Sequence, residues 1–359
     1  MEREKIAMQL DDYRLLGRSG LRVSPLTLGA MTFAAGAWGS TDQEAARMVD
    51  LFVDRGGNFI DTANFYGQMG GSEMLLGRLV QGKRERLVIS TKYSLTTRPG
   101  DPNAAGNSRK AMVRSVEDSL RRLGSDYIDL LYLHMWDFRT PVDEILRAFD
   151  DLVRQGKVLY IGLSDTPAWQ ASRMQAIAEL RGWSQFCALQ IQYSLIERTV
   201  ERELIPMARE MGMGVCPWSP LGGGVLSGKY SLADLPGAAP EPGSLGTRKA
   251  INQATGRLNE DNLRIAAVVG EVAKDVDKTP AQVALAWTLL DPAVTSPVLG
   301  ARTPEQLEDN LGALEVELGD EHRARLDAAS AVSPVFPMDV LRGPAEAMMF
   351  GGVRVEERR

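Results

Sequence analysis

The chain has 359 residues, 44% of them apolar and 25% charged, which excludes disorder and collagen and supplies ample material for a buried core. Its net charge of −6 repels nucleic acid and anionic membranes at long range, although one small anion needs only a few local cations. No apolar run approaches the roughly 18 residues of a membrane span. The opening MEREKIAMQLDDYR lacks a signal-peptide core, so a cytoplasmic protein is expected.

A hairpin is predicted over about 13–25, where Tyr13 to Leu16 and Leu21 to Ser24 flank Gly17-Arg18-Ser19-Gly20. Eight short β-branched runs follow, at 26–30, 58–61, 87–91, 128–133, 158–163, 186–190, 213–217 and 296–299. Segments of helical period separate them, among them 42–55, 107–123, 142–154, 167–180 and 200–211. Thr41 to Glu44 and Thr303 to Gln306 have capping-box spacing. Start-to-start intervals of 32, 29, 41, 30, 28 and 27 residues each hold one βα unit, and a last interval of 83 hides an insertion. A doubly wound sheet and a closed barrel share this alternation, but eight units of about 30 residues favour a (β/α)8 TIM barrel with the hairpin plugging its floor. The whole chain, 1–359, then reads as one domain.

The insertion, 221–258, contains Pro236, Gly237, Pro240, Pro242, Gly243 and Gly246, which suits a mobile loop after strand 7. A Pro-broken tail, 334–359, carries Met348, Met349 and Phe350. Cys187 and Cys216 are too few and too far apart for a zinc site or disulfide framework, and no residues have metal-ligand spacing.

In a parallel barrel the reactive residues stand at the C-terminal ends of strands. Asp61 ends the second predicted strand, with Tyr66 in the loop beyond it; Lys92 follows the third and His134 the fourth. Each has a bland reading alone, as a helix cap, loop packing, surface charge or core histidine. Together, four ionisable side chains converge on one mouth. Gly223 to Lys229 fits a phosphate-binding G-x-x-x-x-G-K, but Tyr230 stands where Ser or Thr must hold magnesium. After the eighth strand, Gly300-Ala301-Arg302-Thr303 leads into a helix, where free amides, dipole and guanidinium would face one anion.

Through GGNFIDTANFYG (56–67), VISTKYS (88–94) and DYIDLLYLHMWD (126–137), the chain resembles the aldo-keto reductase superfamily. GLSDTPAW (162–169), ERELIPMAREMGM (201–213) and PWSPLGGGVLSGKY (217–230) resemble its microbial aryl-alcohol dehydrogenase branch. The resemblance implies an NADP(H)-dependent reductase of aldehydes or ketones, with Asp61, Tyr66, Lys92 and His134 as catalytic tetrad and no metal. It also implies that Trp218 stacks on the nicotinamide, that Ser219, Leu221, Gly223 and Lys229 surround the pyrophosphate, and that Gly300 and Arg302 hold the 2′-phosphate. Gln306 and Asn310 would lie near the adenine, and Ser164, Asp165 and Gln190 would hold the carboxamide. Many relatives carry Asn at the position of Asp165.

The chemistry has its own physical account. Carbonyl reduction needs a hydride donor beside carbon and an acid beside oxygen. A phenol's pKa of about 10 is high for that task, and the Lys92 ammonium is expected to lower it. Asp61 would hold Lys92 protonated, and His134 would orient the carbonyl. Met31, Phe33 and Trp136, with Trp38 and Phe138, are candidates for an apolar substrate pocket. A catalytically weak cofactor-binding subunit and a Schiff-base enzyme using Lys92 are the alternative functions. The expected partner is a small carbonyl substrate, and homo-oligomerisation stays open.

Overall fold

The computed structural model describes residues 8–235, 247–341 and 344–353. A two-stranded antiparallel hairpin, β1 (Arg14–Leu15) and β2 (Arg22–Val23), precedes eight parallel strands. These are β3 (Thr27–Gly29), β4 (Phe59–Asp61), β5 (Val88–Tyr93), β6 (Ile128–Leu133), β7 (Val158–Ser164), β8 (Phe186–Gln190), β9 (Gly214–Val215) and β10 (Val298–Gly300). They lie in the order β10-β3-β4-β5-β6-β7-β8-β9. The segment leading into β10 closes the ring: Thr295 N donates to Val215 O at 2.8 Å and Val298 N to Pro217 O at 2.8 Å. The fold is therefore the expected (β/α)8 barrel. Every residue of β5 and β6 is buried, which is why VISTKY and IDLLYL do not alternate polar with apolar.

The helices are α1 (Asp42–Asp54), α2 (Tyr66–Leu79), α3 (Arg109–Leu123), α4 (Val142–Arg154), α5 (Ala168–Arg181), α6 (Leu204–Met211), α7 (Arg248–Ala254), α8 (Glu260–Asp275), α9 (Pro280–Thr288), α10 (Pro304–Leu311) and α11 (Asp320–Ala329). In α1 the capping box forms in full, and Ala45, Met48, Val49 and Phe52 bury one face at helical spacing. Thr303 also caps its helix, but Gln306 Oε1 accepts from Arg302 N at 3.0 Å instead of returning to Thr303, so no reciprocal box forms. α3 starts two residues later than expected because Asn107 is bonded to Asp137 and Met135, leaving Ser108 as the cap. The expected helix at 200–211 divides into a single turn at Thr199–Glu201 and α6. Beyond α11 the tail forms short helices at Met338–Leu341 and Pro344–Phe350, with Met348, Met349 and Phe350 exposed.

The hairpin plugs the barrel floor. Leu16 and Val23 are fully buried among Phe59 and Val88, the first residues of β4 and β5, together with Leu130, Cys187 and Cys216. Both cysteines are thus apolar fillers there. Gly17 has φ +56, and a Cβ on it would lie 2.3 Å from Cys187 O, so only glycine permits the hairpin to sit this deep. Arg14 Nη1 ties the plug to Val294 O at 3.2 Å, and Arg18 N donates to Gly212 O at 2.9 Å. Of the insertion, a helical turn at Gly222–Ser227 and α7 are described; Pro236, Gly237, Pro240, Pro242, Gly243 and Gly246 lie outside the described residues. Because Leu16 fills the floor without exposed surface, Leu16→Ala is expected to lower unfolding stability by about 2–5 kcal/mol in urea denaturation. A change below about 1 kcal/mol would contradict the plug.

Candidate active site

A cavity of about 580 Å³ opens at the C-terminal ends of the strands. Asp61, the last residue of β4, is buried at its base. Asp61 Oδ1 accepts from Ser90 Oγ at 2.7 Å and from Gln190 Nε2 at 3.0 Å, and Oδ2 accepts from Lys92 Nζ at 2.5 Å. Lys92 also donates to Thr62 O at 2.8 Å. Instead of following its strand, Lys92 lies inside β5, which runs on to Tyr93, and has no exposed surface. An ammonium there is tolerable only when paired. Burial pushes its pKa down, but Asp61 and Tyr66 outweigh that and hold it above the usual lysine value.

Tyr66 is the first residue of α2, not a loop residue, and the chain bends sharply after it through positive φ at Gly67, Gln68, Met69 and Gly70. This detour places the phenol ring 4.9 Å from Lys92 Nζ and 5.8 Å, edge-on, from the His134 ring. The expected fall in the Tyr66 pKa does not occur. Enclosure raises it, Lys92 lowers it and Asp61 raises it again, with a net upward direction. The cost of burying a phenolate exceeds what the Lys92 charge returns, and the Asp61 carboxylate beside that charge adds to the cost. His134, directly after β6, has its pKa held down to about 3 by burial and then by the Lys92 charge, so its imidazole is neutral. Its Nδ1 is buried and has no hydrogen-bond partner among the described residues.

Asp61, Tyr66 and His134 line the cavity, with Lys92 behind them. Ser164, Asp165 and Gln190 line the same end, and the Trp218 indole donates to Asp165 Oδ1 at 3.1 Å. Further along the wall come Ser219, Leu221, Gly223 and Lys229, then Gly300, Arg302, Gln306 and Asn310. The Gly223 amide is already bonded to Ser219 Oγ at 3.0 Å, so it is not a free donor. Met31 reaches the cavity, but Phe33 and Trp136 do not. Phe33 is fully buried in the core, and Trp136 is buried edge-on against Phe138. Phe65, Leu95 and Met135 supply apolar wall in their place. Nothing in a strand-end position reveals which way the following loop turns a side chain.

Two further cations of the insertion, Arg248 and Arg257, also line the wall. Arg257 stands 5.8 Å over the Trp218 ring, and Arg248 stands 5.2 Å over Trp38. Among the described residues, Lys229, Arg248, Arg257 and Arg302 line the cavity without an ion-pair partner. Lys229 is held below the usual lysine value by burial and then by Arg302 and Arg248. Because Lys229, Arg248 and Arg257 lie in a long irregular insertion, no periodicity reveals their convergence with Arg302. Among the described residues no group of His, Cys, Asp and Glu could hold a metal ion, and no helix is long and apolar enough to cross a membrane.

With its pKa near 3, His134 is expected to show no protonation between pH 5 and 8 when its ring is followed by NMR. Titration near the ordinary value of about 6.5 would show that the ring is solvated and not held in the wall as described.

Comparison with known proteins places this geometry in context. Norsolorinic acid reductase stcV of Emericella nidulans is 40% identical over 335 residues, covering 90% of this chain and 82% of that protein. The uncharacterized oxidoreductase YrpG of Bacillus subtilis is 41% identical over 320 residues, covering 86% and 93% respectively. Aryl-alcohol dehydrogenase GME11368 of Pestalotiopsis microspora is 36% identical over 358 residues, covering 94% and 88%. The model of the aldo/keto reductase family matches residues 25–331, and with these relatives it shows that the chain is an oxidoreductase belonging to that family.

Proposed function

We propose that the protein is an NADP(H)-dependent reductase of aldehydes or ketones, acting in the cytoplasm on aryl or other small carbonyls. The observation that carries this reading is the phenol of Tyr66 set between the buried Lys92–Asp61 pair and a neutral imidazole, on the wall of a cavity ringed elsewhere by cations without an ion-pair partner among the described residues. The names of the relatives, a norsolorinic acid reductase and an aryl-alcohol dehydrogenase, support the interconversion of carbonyl and alcohol.

The residues fit a phosphorylated dinucleotide. Lys229, Arg248, Arg257 and Arg302 repel one another in the free protein, and a polyanion relieves that repulsion. Arg302 precedes the N-terminus of α10, where it would hold a 2′-phosphate, with Asn310 and Gln306 beside the adenine. Ser164, Asp165 and Gln190 would hold a carboxamide, and Trp218 would pack on the ring. When bound, the reduced nicotinamide supplies the hydride for the carbonyl carbon.

The protein's own side chains manage the proton. At neutral pH the raised pKa keeps Tyr66 protonated, so its hydroxyl is a donor ready for a carbonyl oxygen. As the proton leaves, negative charge develops on Tyr66, and the Lys92 ammonium beside it stabilises that charge. Asp61 holds Lys92 in place and protonated throughout. Neutral His134 can donate a hydrogen bond to the same carbonyl oxygen without supplying a competing positive charge.

Tyr66→Phe is expected to lower the rate of carbonyl reduction by about 10²- to 10⁴-fold while leaving the NADPH dissociation constant unchanged. Turnover above half that of the wild type, where chemistry limits the rate, would remove Tyr66 from the proton's path. Arg302→Ala is expected to weaken NADPH roughly 10-fold or more while barely affecting NADH, as befits a charge-assisted contact at an exposed guanidinium. Equal losses for the two cofactors in a fluorescence titration would exclude Arg302 from a phosphate site.

A further inference from the structure

Charge around the cavity divides by position. The four cations form one mutually repelling group in the lining, while around Asp61 and Lys92 the charges nearly cancel. Lys92 is matched by Asp61 at 2.5 Å, His134 is neutral and Tyr66 is an un-ionised phenol. One further ionisable group remains there. Asp165, the residue after β7, lines the same end of the cavity as Tyr66, His134, Ser164 and Gln190. Its Oδ1 accepts from the Trp218 indole at 3.1 Å, and among the described residues no Lys, Arg or His forms an ion pair with it. Burial raises its pKa; the Trp218 N–H and the Lys92 charge favour the anion and offset part of that rise, with a net upward direction. Its chain neighbour Ser164 pairs in register with Gln190, which donates to Asp61, so Asp165 stands beside the reacting groups.

A neutral amide at this position would serve a carboxamide equally well as a hydrogen-bonding partner, so the carboxylate needs another account. We infer that Asp165 discriminates between the redox states of the cofactor, favouring the oxidised nicotinamide over the reduced one. The inference rests on the nicotinamide reading above. The two forms of the ring differ by one positive charge, and only a charged neighbour senses that difference strongly in a partly enclosed site. By linkage, whatever factor the carboxylate adds to the preference for the oxidised form also biases the equilibrium between the two bound forms. Asp165 would thus draw carbonyl reduction forward on the protein and retain the oxidised cofactor longer.

Asp165→Asn keeps an oxygen acceptor for Trp218 and removes only the charge. Dissociation constants for NADP⁺ and NADPH, measured by quenching of tryptophan fluorescence on wild type and variant, test the idea without any turnover. The expected result is that the variant weakens NADP⁺ relative to NADPH by about threefold or more, a floor set below the roughly fivefold that one unit charge at about 4 Å exerts even in bulk water. Asp165→Glu, which restores the charge, should keep the wild-type ratio even if both affinities fall. An unchanged ratio in Asp165→Asn, or an Asp165→Glu ratio equal to that of Asp165→Asn, overturns the inference while leaving the cofactor assignment intact. Failure of the wild type to bind either form overturns the cofactor reading itself, and this inference with it.

Discussion

A lysine ammonium with no exposed surface is the constraint around which this barrel mouth is organised. Removing such a charge from water costs several kcal/mol, and the cost is offset only by close, well-bonded partners. Lys92 has them in Asp61 and the Thr62 carbonyl, and Asp61 is in turn fixed by Ser90 and Gln190. Three strands, β4, β5 and β8, are thereby cross-linked at their C-terminal ends by one polar network. The plugged floor serves the same end from below, since the hairpin and the cysteines exclude water from the barrel interior on which that network rests.

Several features near Tyr66 follow from this pair. Burial of the phenol raises its pKa more than the Lys92 charge lowers it, Asp61 adds to the rise, and the phenol stays protonated. The resulting acid is intrinsically weak but correctly loaded, and the stabilisation from Lys92 is kept for the moment when charge develops on the oxygen. The same positive charge, added to burial, keeps His134 neutral. Burial and the charges of this one ion pair together set the protonation states of both neighbours.

The strand ends could be read because a regular βα repeat fixes where each strand stops, and Asp61 and His134 stand where that repeat puts them. The Thr41 capping box was legible for the same reason: it is local. Features that depend on distant neighbours were not. The upward direction at Tyr66 depends first on its burial and then on the opposed charges of Lys92 and Asp61, 26 and 5 residues away. Phe33 and Trp136 sit at strand ends as expected, but their loops turn them into the core. Arg248 and Arg257 reach the cavity through an insertion whose path has no periodic signature. Asp165 was visible only as a departure from a pattern, and its meaning depends on the charges that surround it.

The central claim is that Lys92 and Asp61 act as one unit in supporting the chemistry of Tyr66. A double-mutant cycle on NADPH-dependent reduction of an aromatic aldehyde, comparing wild type, Asp61→Asn, Lys92→Met and the double variant under single-turnover conditions, tests it most directly. The account predicts that the two single variants and the double variant fall to nearly the same low rate, because losing either partner disables both. Losses that multiply, so that the double variant is slower by the product of the two single effects, would contradict it.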